Sequence, residues 1–223
     1  TVSTYFQFMA PTSFLENTAK TTILPYSSSE VNGFKFDSWK QIGAEFLVRG
    51  GFSIVGNTIT LEIYAYNVSQ ASLFLGKKYK GSAASVRRLA HTFSNDFMST
   101  VTGASGIFLS RVAFSSDRSG HKYREIFIMD WDGANVEQVT SHKSVSFSPS
   151  LSFDGGKIAY TTFVQRVKTK TRNADLFIYD LATKKRWLVS YRQGINSGSF
   201  FSPDGKSIVL TISSNGNPDI YRM

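Results

Sequence analysis

The 223-residue chain contains no cysteine. It can therefore form no disulfide, bind no zinc through thiolates and use no cysteine as a nucleophile, which fits the cytoplasm and equally an exported protein. It also lacks an apolar run approaching the ~18 residues that a membrane-spanning helix needs, so we expect a soluble chain. The first residues show neither the basic start nor the apolar core of a signal peptide, and we expect the chain to begin after any targeting segment.

Patterns typical of catalysis are missing as well. The three histidines, His91, His121 and His142, lie far apart, and we predict that each is exposed or caps a loop rather than binding a metal or acting as a base. Residues 103–106 have the wrong spacing for the nucleophile elbow of a hydrolase. Residues 130–133 resemble part of a metal-binding loop but are better explained as a turn. The sequence therefore predicts no catalytic residue, no metal and no cofactor.

The net charge of +9 raises nucleic acid or an anionic surface as a partner. The basic residues cluster in two turns, at 166–172 and 184–186, and no RNA-recognition motif or zinc finger accompanies them. We therefore favour solvated basic loops and expect no nucleic-acid partner.

Two motifs recur in the second half of the chain. The turn at residues 152–155 returns at 202–205, about 50 positions later, and the strand-like segment Glu125–Asp130 returns at 175–180 after the same interval. Repeats of about 40–50 residues that consist of short strands are typical of the blades of a β-propeller. A propeller is the strongest structural prediction that the sequence supports.

The repeats can be divided into blades. The predicted strands are, in order, 110–115, 124–130 and 136–140; 147–153, 157–163, 175–180 and 186–191; and 199–202, 207–213 and 219–223. The first group lacks an innermost strand and the third lacks an outer one. Because closed propellers have typically ~4–8 blades, we expect this chain to be part of a longer protein or to be completed by other copies.

The first half of the chain predicts a different architecture. Residues 1–38 show no clear pattern; the elements predicted after them are a helical turn at 38–44, strands at 46–49, 52–55, 58–67 and 74–79, and a helix at 82–102. The strand at 46–49 is expected to end at Gly50-Gly51, and the helix to stop at Gly103. The predicted fold class is thus an α+β N-terminal domain, residues 1–104, followed by an incomplete all-β propeller of two to three blades, residues 105–223.

The loop before each innermost strand of a propeller opens onto the axis of the ring. Residues 144–149 and 194–199 are therefore expected to converge on one face, with Phe147 and Ile195 exposed. Their serine-, glycine- and asparagine-rich composition suits the binding of a partner, but it equally suits flexible connectors, and both interpretations stay open.

Several motifs resemble those of the TolB family, the periplasmic propellers of the bacterial Tol–Pal envelope system. The resemblance runs from Trp39 to Met223; its motifs are at residues 39–50, 88–91, 102–113, 130–135 and 201–206. The last motif is shared with many propellers. The junction between the helix and the first blade, together with the preceding domain, is much more specific.

The resemblance implies a mixed α/β N-terminal domain followed by a six-bladed propeller without enzymatic activity. It implies a periplasmic scaffold whose propeller mouth binds the peptidoglycan-associated lipoprotein Pal and which supports the outer membrane during cell division. TolA would bind through an N-terminal segment that this sequence lacks.

The resemblance also suggests where the partner binds. The expected partner-binding residues are Ser146, Phe147, Ser148, Pro149, Ile195, Asn196, Ser197, Gly198 and Ser199. Asn196 and Ser197 are expected to offer hydrogen bonds, and Ile195 and Phe147 apolar contacts. The family often has histidine at position 195 and Gly-Ala-Pro at 197–199, so the contacts expected here differ in detail from those of the family.

Two alternatives remain. The blades would also fit the gating propeller of a prolyl-oligopeptidase-like peptidase, whose Ser/Asp/His triad would lie outside this sequence. The loop at 165–172 is longer and more basic than in the TolB family. It is expected either to lie near an anionic envelope surface or, the favoured interpretation, to be a solvated insertion.

Overall fold

A computed structural model describes residues 6–120, 122–165, 170–214 and 216–223. His121, Arg166 and Lys168, which the sequence analysis singles out, lie outside these ranges. The chain divides into two units, Thr1–Leu109 and Ser110–Met223. This division falls a few residues after the border expected at residue 104.

The first unit contains an antiparallel sheet of three strands, β1 (Phe46–Val55), β2 (Thr58–Asn67) and β3 (Ser72–Ser82), in the order β1-β2-β3. The strands predicted at 52–55 and 58–67 are confirmed, and they pair with each other as an antiparallel hairpin. The predicted strand end at Gly50-Gly51 is wrong, because β1 continues through both glycines, which pair with Ile63 and Glu62 of β2. Glycine weakens a strand locally, but the uninterrupted partner strand keeps the ladder in register.

Two helices accompany this sheet. The short α1 is Phe36–Gln41, and α2 is Val86–Thr102, preceded by a 3₁₀ turn at Ala83–Ser85. The predicted stop is confirmed: Gly103 has a left-handed φ of 73°, and its N–H donates to the Ser99 carbonyl at 2.9 Å. Apolar residues of α2 pack on one face of the sheet; the cluster contains Ala65, Leu75, Phe97 and the half-buried Phe46, Phe74, Phe93 and Val101.

The segment before α1 folds against the sheet, although its sequence gives no clear pattern. Phe34 is fully buried in a cluster with Trp39 and Tyr66. The Glu16 carboxylate accepts hydrogen bonds from the Lys35 backbone N–H at 2.8 Å and from the Trp39 indole at 3.3 Å. These contacts join residues far apart in the chain, so local patterns cannot reveal them.

The second unit contains three antiparallel sheets in the part of the chain that the structure describes. The first consists of β4 (Arg111–Ser116), β5 (Glu125–Asp130) and β6 (Glu137–Gln138). The second consists of β7 (Ser146–Leu151), β8 (Lys157–Gln165), β9 (Arg172–Asp180) and β10 (Arg186–Ser190). The third consists of β11 (Asn196–Phe201), β12 (Ile208–Ile212) and β13 (Asp219–Arg222). The strand grouping expected from the repeats, and with it the fold class, is confirmed.

Each sheet buries a face against the next, which is how propeller blades form a common core. Between the first and second sheets the buried residues are Ile126, Ile128, Ile158 and Tyr160. Between the second and third they are Ala159, Leu176, Ile178, Ile208, Leu210 and Ile212. The middle sheet is therefore apolar on both faces.

The repeated turns have the same hydrogen bonds. Ser152 Oγ donates to Asp154 Oδ1 at 2.5 Å, and Ser202 Oγ donates to Asp204 Oδ1 at 2.5 Å. These bonds, together with those from the backbone N–H groups of Gly156 and Lys206, lower the pKa of both aspartates. The repeated sequence thus forms a turn with the same hydrogen bonds in both blades.

Within the described ranges, no helix combines the length and the apolar character that crossing a bilayer would require.

Candidate partner-binding surface

The innermost strands β7 and β11 contain most of the residues that the sequence analysis assigned to loops. β7 already begins at Ser146 and β11 at Asn196, so the prediction of loops extending to residues 149 and 199 is wrong. The start of the strand predicted from residue 147 is correct to within one residue, whereas the strand predicted from residue 199 begins three residues earlier. The reason is a bulge in each strand, which gives the sequence the glycine, proline and serine content of a loop while the strand continues on both sides.

The two bulges lie at equivalent positions. The pairing of β7 with β8 shifts register between Phe147 and Ser150, and that of β11 with β12 shifts between Ser197 and Phe200. Within them, Ser148 has a φ of 48° and Gly198 a φ of 64°. Glycine adopts this left-handed conformation freely, whereas serine adopts it at a cost.

The segments leading into β7 and β11 are anchored to the preceding sheet. Val145 forms a parallel bridge with Arg124, and Ile195 forms one with Ala174. The Ser146 N–H donates to the Arg124 carbonyl at 2.8 Å. These segments are therefore fixed connections and not the flexible connectors that the sequence left possible.

Asn196 is fully buried, and both ends of its side chain amide are bonded inside the protein. Its Nδ2 donates to the carbonyls of Ala174 at 2.9 Å and Arg192 at 2.7 Å, while its Oδ1 accepts from Ser190 Oγ at 2.6 Å and from the Arg192 N–H at 3.2 Å. The expectation that the Asn196 side chain offers hydrogen bonds to a partner is therefore wrong. The Asn196 side chain instead links β11 to strands β9 and β10 of the preceding blade.

Two other expected site residues are buried too. Ser146 Oγ donates to Thr162 Oγ1 at 3.0 Å, and the Ser146 carbonyl accepts from Ser115 Oγ at 2.6 Å. Ser199 is buried, and its hydroxyl has no hydrogen-bond partner among the described residues. Neither hydroxyl faces solvent, so neither can contact a partner without a rearrangement.

The remaining expected site residues reach the surface. Ile195 is 52% exposed, and Ser148 and Gly198 are exposed. Phe147, Pro149 and Ser197 are half-buried, and the Phe147 ring lies 5.7 Å from the Phe163 ring. The structure thus offers a small apolar and hydroxyl-bearing surface on rigid strands, which can contact another protein.

Polar residues that the sequence analysis missed hold these junctions together. Glu125 is buried and accepts from Thr140 Oγ1 at 2.6 Å and from the Lys143 N–H at 2.7 Å. In the next blade the buried Asn173 accepts from the Gly194 N–H at 3.0 Å. Glu125 and Asn173 lie at or next to the first residue of β5 and β9, which are equivalent strands of successive blades. This recurring polar position is the signal by which the sequence could have revealed them.

His142 is not an exposed loop residue, contrary to the sequence prediction. Its Nε2 lies 2.9 Å from the Tyr160 hydroxyl, and its ring is 5.6 Å from the rings of Tyr160 and Phe177. Burial, and to a smaller extent the Arg186 charge, lowers the pKa of His142, whereas Glu125 opposes this shift. Burial also raises the pKa of Tyr160.

Residues 130–133 form the predicted turn. The Gly133 N–H donates to the Asp130 carbonyl at 2.9 Å, and Asn135 Nδ2 donates to Asp130 Oδ2 at 2.7 Å. Among the described residues, no group of three or more acidic or histidine side chains is placed to hold a metal ion.

Comparisons with known proteins agree with this architecture. The family model for the TolB beta propeller domain matches residues 98–223. The Tol-Pal system protein TolB of Desulfosudis oleivorans is 33% identical over 217 residues, which are 97% of this chain and 46% of that protein. The TolB of Geobacter metallireducens is 43% identical over 125 residues, 56% of this chain and 29% of that protein.

A solved structure supports the same relationship. The crystal structure of TolB from Acinetobacter baumannii aligns with a TM-score of 0.75 and 28% identity over 86% of this chain and 47% of that one. The chain spans less than half the length of each of these relatives. Because the family model covers more than half of the sequence and the sheets have the arrangement of propeller blades, the chain belongs to the TolB β-propeller family.

Proposed function

We propose that this protein is a non-enzymatic scaffold of a Tol–Pal system, located in the periplasm, that binds Pal through the surface formed by β7 and β11. The observation that supports this most is the exposed Ile195, held beside a buried and fully bonded Asn196 at the start of β11. An exposed aliphatic side chain on a fixed backbone suits protein binding, since little ordering entropy is lost on association.

The contacts would differ from those expected from the sequence. Ile195 and Phe147 supply apolar contact, while Ser197 and Ser148 offer hydroxyl groups. Asn196 and Ser146 act from below the surface by fixing the strands through their hydrogen bonds, while Ser199 is buried and makes no contact with the partner. TolA would bind the protein at a place other than this surface, and the scaffold would support the outer membrane at division.

Calorimetry with the soluble domain of Pal from the same organism and the complete gene product tests the proposal. Ser197→Trp places a bulky side chain on the surface, and Ala182→Trp makes a comparable change at an exposed turn at the opposite end of the strands. We expect saturable binding by the unaltered protein and by Ala182→Trp, and at least tenfold weaker binding by Ser197→Trp. Absence of binding by the folded, unaltered protein would refute the Pal assignment.

A further inference from the structure

The end of the second unit at which β5, β7, β9 and β11 begin carries exposed basic side chains. We call it the cationic rim and define it by Arg124, Lys143, Val145, Arg172, Arg192 and Ile195. The four basic residues are exposed and come from four successive segments of the chain. The positive charge is therefore spread over the blades rather than confined to one loop.

Little negative charge offsets these cations. Glu125 directly follows Arg124 in the chain, and Asp175 lies three residues after Arg172. Both acids are buried, with 4% and 3% of their surface exposed, and Glu125 accepts hydrogen bonds from Thr140 and the Lys143 backbone. Asp117 and Asp219 are the exposed acids in the described part of this end. No carboxylate among the described residues forms an ion pair with the four cations of the rim.

The opposite end of the strands is different. There the exposed Lys184 is paired with Glu137 at 2.6 Å, and the turns carry the exposed Asp154 and Asp204. Positive and negative side chains are mixed at that end. The two ends of the same blades thus differ in the balance of their exposed charges.

Aliphatic side chains lie between the cations of the rim. Val145 is 40% exposed and is bridged to Arg124, and Ile195 is 52% exposed and is bridged to Ala174, two residues from Arg172. Each blade junction thus shows an aliphatic side chain beside basic ones.

Exposed tyrosines, Tyr123 and Tyr191, also adjoin Arg124 and Arg192 in the chain. Because bases of single-stranded nucleic acid stack on such rings, single-stranded DNA is included as a competing ligand in the test below.

We infer that the cationic rim binds an acidic protein surface in which carboxylates surround an apolar patch, the patch covering Val145 and Ile195. The inference rests on the proposed function, because it assigns this surface to Pal. Complementary charges of this kind mainly accelerate association and make it dependent on salt. Burial of the two aliphatic side chains supplies a contribution that salt does not screen.

Association kinetics of the soluble Pal domain with the complete gene product test this inference. The rim variant Arg124→Glu/Arg172→Glu reverses two charges whose side chains form no described contact. The control variant Lys185→Glu/Lys206→Glu makes the same change in net charge at the opposite end. At about 50 mM salt we expect the rim variant to associate roughly tenfold or more slowly and the control less than about twofold more slowly.

Raising the salt concentration to about 500 mM should slow the unaltered protein and largely remove the difference between the variants, because the Debye length shortens. Binding of Pal that is insensitive to salt and equal in both variants would overturn the acidic-partner inference and leave the Pal proposal standing. Absence of Pal binding by the folded protein would overturn both. Phosphatidylglycerol vesicles and single-stranded DNA are tested with the same variants. If either one binds through the rim while Pal binding is unaffected by the variants, the inferred class of partner is wrong.

Discussion

The hydroxyl of Ser190, at the end of β10, donates a 2.6 Å hydrogen bond to Oδ1 of Asn196, at the start of β11. The two residues belong to different sheets, and both are buried. The Asn196 amide also reaches back to the Ala174 carbonyl of β9. A single side chain thus fixes the direction in which the chain leaves one blade and enters the next.

Replacement of Asn196 by alanine should therefore affect stability first. The Asn196→Ala change leaves the Ser190 hydroxyl and the Ala174 carbonyl without this partner in a buried place, and each unsatisfied group costs about 1–3 kcal/mol. The Arg192 carbonyl keeps its hydrogen bond from Asn173 Nδ2 at 3.0 Å. We expect the free energy of unfolding to fall by about 2–4 kcal/mol, measured by urea titration. Ser197→Ala, one residue away and half-buried, should change it by less than about 0.5 kcal/mol. Equal effects would contradict the structural role of Asn196.

Because the two bulges are equivalent, exchanging the residues at their centres, Ser148 and Gly198, should have opposite effects on stability. Ser148→Gly should stabilise the protein and Gly198→Ser should destabilise it, each by about 1 kcal/mol, because only the residue with a Cβ is strained at positive φ. A Cβ at Gly198 would lie 3.7 Å from Thr211 Oγ1, so no clash adds to this cost. Thermal unfolding of both variants checks the prediction. A change of the same sign in both would mean that packing dominates the bulges.

His142 predicts a dependence of stability on pH. Its pKa is lowered in the folded protein, so the unfolded chain binds the proton more tightly. The stabilising contribution is therefore complete above the ordinary histidine value of about 6.5 and is lost as the pH falls through the lower value of the folded state. Urea unfolding of the unaltered protein and of His142→Phe between about pH 7.5 and pH 5 should show a smaller loss in the variant. Parallel pH profiles would refute this role of His142.

The sequence predicted the blades because their turns and strands repeat at a fixed interval, as the bonds of Ser152 and Ser202 in the structure show. It could not distinguish a bulged strand from a loop at 194–199, since both use glycine and serine at positions of positive φ. It could not show that Asn196 is buried, because its partners Ser190 and Ala174 lie in other strands. The fold of residues 6–35 depends on equally distant contacts, such as that between Glu16 and Trp39.

The central claim is that Pal binds at the end of the blades where β7 and β11 begin. Hydrogen exchange of the complete gene product, with and without saturating soluble Pal domain, tests it most directly. We expect slower exchange in peptides covering 141–149 and 191–198, and unchanged exchange at the opposite end, in peptides covering 152–157 and 202–206. Protection at 152–157 and 202–206 without protection at 141–149 and 191–198 would contradict the claim.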